Sequence, residues 1–116
     1  MIGINTRTYP YRLDSKSKEP LELYIKLTNS QIKKMLSIDL VIDEDLSFNS
    51  VKPINTDYKR IGEFNPGQVK EIRYSIYPAV GIYPGTKKIK IRVGEHNNDY
   101  NVIDNKTETT VTITVI

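Results

Sequence analysis

The chain has 116 residues, a formal net charge of +3 from 17 basic and 14 acidic side chains, one histidine, and neither cysteine nor tryptophan. That length fits one domain and is enough to bury a core without a metal or disulfide. The missing cysteine removes disulfide staples, thiol nucleophiles and thiolate zinc sites together, and the mild, dispersed basic excess lacks the clustered footprint of a nucleic-acid binder.

Period-two alternation dominates the sequence, the mark of half-buried strands. Ile2 and Ile4 alternate with Gly3 and Asn5 and read as a first, edge strand. Leu21, Leu23, Ile25 and Leu27 then alternate with Glu22, Tyr24 and Lys26. Asn29 to Leu36 allows one helical turn at most, and Leu36, Ile38, Leu40 and Ile42 form the next alternating run. Asp57 to Phe64 alternates poorly and reads as a short edge strand before the turn Asn65-Pro66-Gly67. Ile72, Tyr74 and Ile76 follow, then Ile89, Ile91 and Val93 against Lys88, Lys90 and Arg92, and finally Val111, Ile113 and Val115 against Thr110, Thr112 and Thr114. Turn residues fall between the runs, at Pro20, Asn29-Ser30, Pro53, Pro66-Gly67, Pro84-Gly85 and Asn97-Asn98. About seven antiparallel strands without intervening helices predict an all-β, immunoglobulin-like sandwich of two sheets, a single domain over residues 1–116.

The stretches Leu21-Glu22-Leu23-Tyr24-Ile25-Lys26-Leu27-Thr28-Asn29, Phe64-Asn65-Pro66-Gly67-Gln68 and Tyr83-Pro84-Gly85-Thr86, leading into Lys87-Lys88-Ile89-Lys90-Ile91, carry a resemblance. In order and spacing they resemble the CARDB-type immunoglobulin-like modules of prokaryotic surface proteins and similar modules appended to glycosidases. The resemblance implies an accessory binding or spacing role, with no catalytic residues to carry over.

The residues themselves assemble no catalytic set. His96 sits in the run Gly94-Glu95-His96-Asn97-Asn98-Asp99 and reads as an exposed polar loop residue. Asp99, Asn101 and Asp104 offer alternate hard oxygen ligands, but no turn glycine and no closing glutamate accompany them, so neither a metal nor a cofactor is expected. Asp43-Glu44-Asp45 reads as a solvated strand end. Lys88, Lys90 and Arg92, with Lys87 beside them, read as a solubilising outer face without interleaved aromatics. Tyr83, just before Pro84-Gly85, stands where a sandwich tyrosine often bonds back to the backbone. Asn105-Lys106-Thr107 satisfies the glycosylation sequon, which matters only in a secreted chain.

The longest predicted connection runs from Gly94 to Thr107 and is crowded with Asn and Asp around Tyr100. Tyr100 is the leading contact candidate, with His96, Asp99 and Asn101 beside it, because loops on a rigid scaffold favour binding. These observations predict a non-enzymatic binding or spacer module that meets a protein partner through loops or a sheet edge; a carbohydrate-associated accessory domain is the alternative. No apolar run approaches the roughly 20 residues of a membrane span, and no charged-then-apolar signal pattern opens the sequence. The expected location is cytoplasmic if Met1 is the native start, and extracellular or cell-surface if the run is an excised domain.

Overall fold

Alternating side chains can serve both a core and solvent only on an extended chain. The computed structural model, which describes residues 2–16, 19–28 and 31–116, carries a strand on every alternating run. These are β1 (Gly3–Tyr9), β2 (Leu21–Thr28), β3 (Lys34–Ile42), β4 (Leu46–Ser47), β5 (Thr56–Phe64), β6 (Lys70–Pro78), β7 (Gly85–His96) and β8 (Asn105–Val115). The eighth strand among the described residues is β4, whose two residues are too few to display a period. β1 reaches Tyr9, well beyond the expected Ile2–Asn5 run, and Lys34–Leu36 are already strand rather than a helical turn. The predicted Asn29-Ser30 turn lies outside the described residues.

The first sheet has the order β1-β2-β6-β4 and the second β5-β3-β7-β8, with neighbours antiparallel throughout. Their inner faces share one buried cluster. Leu21, Leu23, Ile25 and Leu27 of β2 contribute to it from one side, and Leu36, Ile38 and Leu40 of β3 with Ile89, Ile91 and Val93 of β7 from the other. Each such side chain stabilises the fold by about 1.5–3 kcal/mol through burial.

β5 shows why its alternation was hard to read. Its pairing with β3 steps from Leu36↔Gly62 to Ser37↔Arg60, leaving Ile61 as the extra residue of a bulge. Gly62 follows at φ 92°, a conformation that favours glycine. The step inverts the facing pattern. Asp57 and Lys59 lie opposite the core residues Leu40 and Ile38, whereas beyond the bulge Phe64 turns inward, fully buried, and Glu63 turns out. Looping Ile61 out of the ladder thus brings Phe64, the aromatic plug, into the core.

The second sheet's other edge is regular. β8 pairs with β7 through eleven consecutive positions without a register shift. Its end is covered by a parallel bridge at Leu13: Leu13 N–H donates to Thr114 O (2.9 Å) and Ile116 N–H to Leu13 O (2.9 Å). Even-numbered residues of β8 therefore direct their backbone groups away from β7. Glu108, Thr110 and Thr112 share that direction and face no neighbouring strand among the described residues.

Where β5 approaches the first sheet, Lys59 Nζ stands 4.5 Å from the Tyr74 ring centroid, and Phe48 packs on the same ring at 5.5 Å. The Tyr74 hydroxyl and Asp57 Oδ2 are both buried, without a hydrogen-bond partner among the described residues. Burial, reinforced by the nearby Asp57 carboxylate, pushes the Tyr74 hydroxyl well above its ordinary titration range.

Candidate functional site

The outer face of the second sheet gathers the residues with chemical potential, because the strand register sets them side by side. β7 contributes Lys90, Arg92, Gly94 and His96; the paired positions on β3 are Val41, Asp39, Ser37 and Met35. β5 places Tyr58 beside Asp39 and Arg60 beside Ser37, and β8 places Glu108 beside Arg92.

At one end of this face, His96 is not an exposed loop residue. It is the last residue of β7 and only 1% exposed, so the expectation that it offers a surface contact is corrected. Its Nδ1 lies 2.7 Å from Val102 O and its Nε2 2.7 Å from Ser37 Oγ. A carbonyl only accepts, so Nδ1 carries a proton, and Nε2 shares a hydrogen bond with the Ser37 hydroxyl, which can donate or accept. The ring has room because Gly94 lacks a side chain: a Cβ there would stand 2.9 Å from Ser37 Oγ and 3.2 Å from His96 Nε2.

The connection is thereby shortened to residues 97–104, and it is tied down along its length. Tyr100 packs against His96 at 5.1 Å between centroids with the rings tilted by 56°, and the Arg60 guanidinium lies 4.8 Å from the Tyr100 ring centre. Lys34 Nζ donates to Asn97 Oδ1 and pairs with Asp104 at 3.3 Å, joining the two ends of the connection. Asp99 Oδ1 accepts from Asn101 N–H (2.9 Å), and Val102 N–H donates to Asp99 O (3.1 Å), which closes the turn. Tyr100, Asp99 and Asn101 do come together here. Asp99 and Asn101 keep exposed side chains, while Tyr100 spends its ring on packing.

Beside this strap lies a concavity of about 460 Å³, lined by side chains of all four strands of the sheet. Arg92 Nη2 donates to Asp39 Oδ2 at 2.6 Å across its floor, and Lys90 pairs with Glu108 at 4.0 Å. The hydrogen bond to Asp39 and its negative charge raise the Arg92 pKa further, so the guanidinium stays charged. Tyr58 and Val41, 48% and 50% exposed, give the hollow its apolar surface. The basic ladder is therefore largely paired, and Tyr58 supplies the aromatic neighbour that the β7 run itself lacks. Lys87 instead reaches Asp45 at 2.6 Å. That hydrogen bond holds the Lys87 ammonium above its ordinary range.

Other sequence candidates part from this face. Tyr83 is 80% exposed, so it does not serve as a buried corner tyrosine. Among the described residues, no group of three or more His, Cys, Asp or Glu could hold a metal ion, and no helix is long and apolar enough to cross a membrane. The alternation of the third run put Asp39 on an outward face neighbouring the ladder of Lys88, Lys90 and Arg92, and the register bears this out; Tyr58 and Glu108 were missed as neighbours of Arg92.

Two four-stranded antiparallel sheets around a shared core define an immunoglobulin-like β-sandwich. No protein-family model matches the sequence, and no curated protein sequence matches it. Among solved structures, the chain is similar to self-complemented MyfA, the major subunit of Myf fimbriae from Yersinia enterocolitica. The identity is 14% and the TM-score 0.49, over 97% of this chain and 98% of that one. The same self-complemented subunit in complex with galactose gives 14% identity and a TM-score of 0.48 over the same shares.

Proposed function

We propose that this chain is a non-catalytic module that holds an extended segment of a protein partner by strand addition along β8. The observation that carries the reading is the unequal treatment of the second sheet's two edges. β5 bears a bulge, a positive-φ glycine and the core-phased charges Asp57 and Lys59, devices that discourage further pairing. β8 has none of these over Asn105–Thr112, and the outward backbone groups of Glu108, Thr110 and Thr112 suit a partner's ladder. An added strand gains main-chain hydrogen bonds there, with specificity from alternate side chains. The CARDB-like stretches agree with an accessory role, and the sole histidine is committed to fastening a loop.

A ten-residue peptide repeating residues 107–116 is the probe strand. Its addition is expected to slow amide hydrogen exchange at Glu108, Thr110 and Thr112. Thr110→Pro removes an outward N–H while sparing the bonds to β7, so it should abolish that protection. Equal peptide binding by the parent and Thr110→Pro chains, or no protection at millimolar peptide, would overturn the reading.

A further inference from the structure

We infer that the concavity on the outer face of the second sheet binds a neutral carbohydrate, held against Tyr58 and the Asp39–Arg92 pair. This goes beyond strand addition and uses the face of the sheet rather than the backbone edge of β8, with Glu108 giving its side chain to one and its backbone to the other. At about 460 Å³ the hollow has the size of a small-ligand site. Its outward-facing charges form two pairs, Asp39 with Arg92 at 2.6 Å and Glu108 with Lys90 at 4.0 Å. Asp57, which also lines it, stands in the core-facing phase with Oδ2 buried. Neither sign is in excess among the outward side chains that a ligand would touch, so charge alone singles out neither an anion nor a cation.

The same four side chains keep unused hydrogen-bonding capacity at the surface. The guanidinium of Arg92 has five donors, of which the contact to Asp39 occupies one, and each member of the two pairs remains partly exposed. A purely apolar ligand would cover these groups without pairing them, at a cost. Hydroxyls both donate and accept, so a polyhydroxylated ring satisfies carboxylates and cations alike. Charge-assisted bonds to groups already fixed in pairs lose little freedom on binding. Tyr58 and Val41 supply a modest apolar flank, suited to the C–H face of a sugar ring rather than to a large hydrophobe.

The test is a titration of the ¹⁵N-labelled chain with maltose, cellobiose and di-N-acetylchitobiose, with glucuronic acid and glycylglycine as charged comparators. At least one neutral disaccharide should give saturable shifts at Val41, Tyr58, Lys90 and Arg92. Tyr58→Ala, by removing the apolar flank, and Asp39→Asn, by removing a charge-assisted contact, should each weaken it by about tenfold or more. Thr110→Pro should leave it unchanged, which separates this site from the β8 edge. Tyr58→Ala carries the test alone if Asp39→Asn unfolds. No saturable shift with any neutral disaccharide, equal affinity in Tyr58→Ala, or tighter binding of glucuronic acid or glycylglycine would each overturn the inference.

Discussion

β5 and β8 flank the same sheet, yet they end it differently. β5 departs from regular pairing at Ile61 and carries Asp57 and Lys59 in the core-facing phase. β8 keeps register with β7 from Asn105 to Val115 and hands only its last residues to the Leu13 bridge. An unpaired strand offers a row of backbone donors and acceptors, and a fold either blocks that row or leaves it for use. The comparison teaches that edge protection here comes from irregularity within one strand, and that the regular edge keeps an outward row of backbone groups that no strand pairs among the described residues.

The most severe way to break the comparison is to take away what the irregularity delivers. With Ile61 looped out, Gly62 and Phe64 share the inward phase of Asp57 and Lys59, so Phe64→Ala empties the site in the core that the bulge lets this strand fill. The expected cost is about 3–5 kcal/mol, measured by chemical denaturation. Deleting Ile61 closes the bulge without changing that phase, so it should cost less than Phe64→Ala. A deletion variant less stable than Phe64→Ala would show that regular pairing does not keep Phe64 inward.

A central strand gives the scale for either edge. Ile91→Ala in β7 should cost about 2–5 kcal/mol, because the side chain is fully buried between the sheets. Lys90→Ala, on the opposite face, should stay within about 0.5 kcal/mol. Equal losses for the two would mean that the sheet faces are assigned backwards.

The contact between β5 and the first sheet has a pH signature. The Tyr74 hydroxyl titrates above its ordinary range when folded, so above about pH 10 the unfolded chain has shed a proton that the folded chain retains. Stability should therefore fall as pH rises past that point. Lys87, also raised, adds a slope of the same sign. Tyr74→Phe should flatten the alkaline decline without removing it, and should hold or raise stability at neutral pH by deleting an unpartnered buried hydroxyl. An unchanged alkaline slope in this variant would discard Tyr74 as its source.

The smallest stability effect is expected at the open edge. Thr110→Pro should unfold close to the parental denaturant midpoint, since it touches no bond to β7. A large loss would mean that the Thr110 N–H is already used within the chain and that β8 is not free.

The core strands were legible in the sequence because each residue there obeys one local rule. Leu21 to Leu27, Leu36 to Ile42 and Ile89 to Val93 alternate without interruption, and their inward phase could be read directly. β5 was legible only as an edge, since a bulge hides the period it shifts. β4 was invisible because two residues carry none. The candidate site divides in the same way. Tyr100, Asp99 and Asn101 could be grouped from their neighbourhood in the chain.

His96 could not be placed, because its burial depends on Ser37, 59 positions away, and on the space left by Gly94. Nor could Tyr58 and Glu108 be joined to Asp39 and Arg92, since the four come from four strands and meet only through register. The sequence by itself determined the fold class and the inward faces, because alternation and turn chemistry are short-range. Tertiary structure alone decided which edge stays open and which polar residues become neighbours, because strand order and register depend on contacts far apart in the chain.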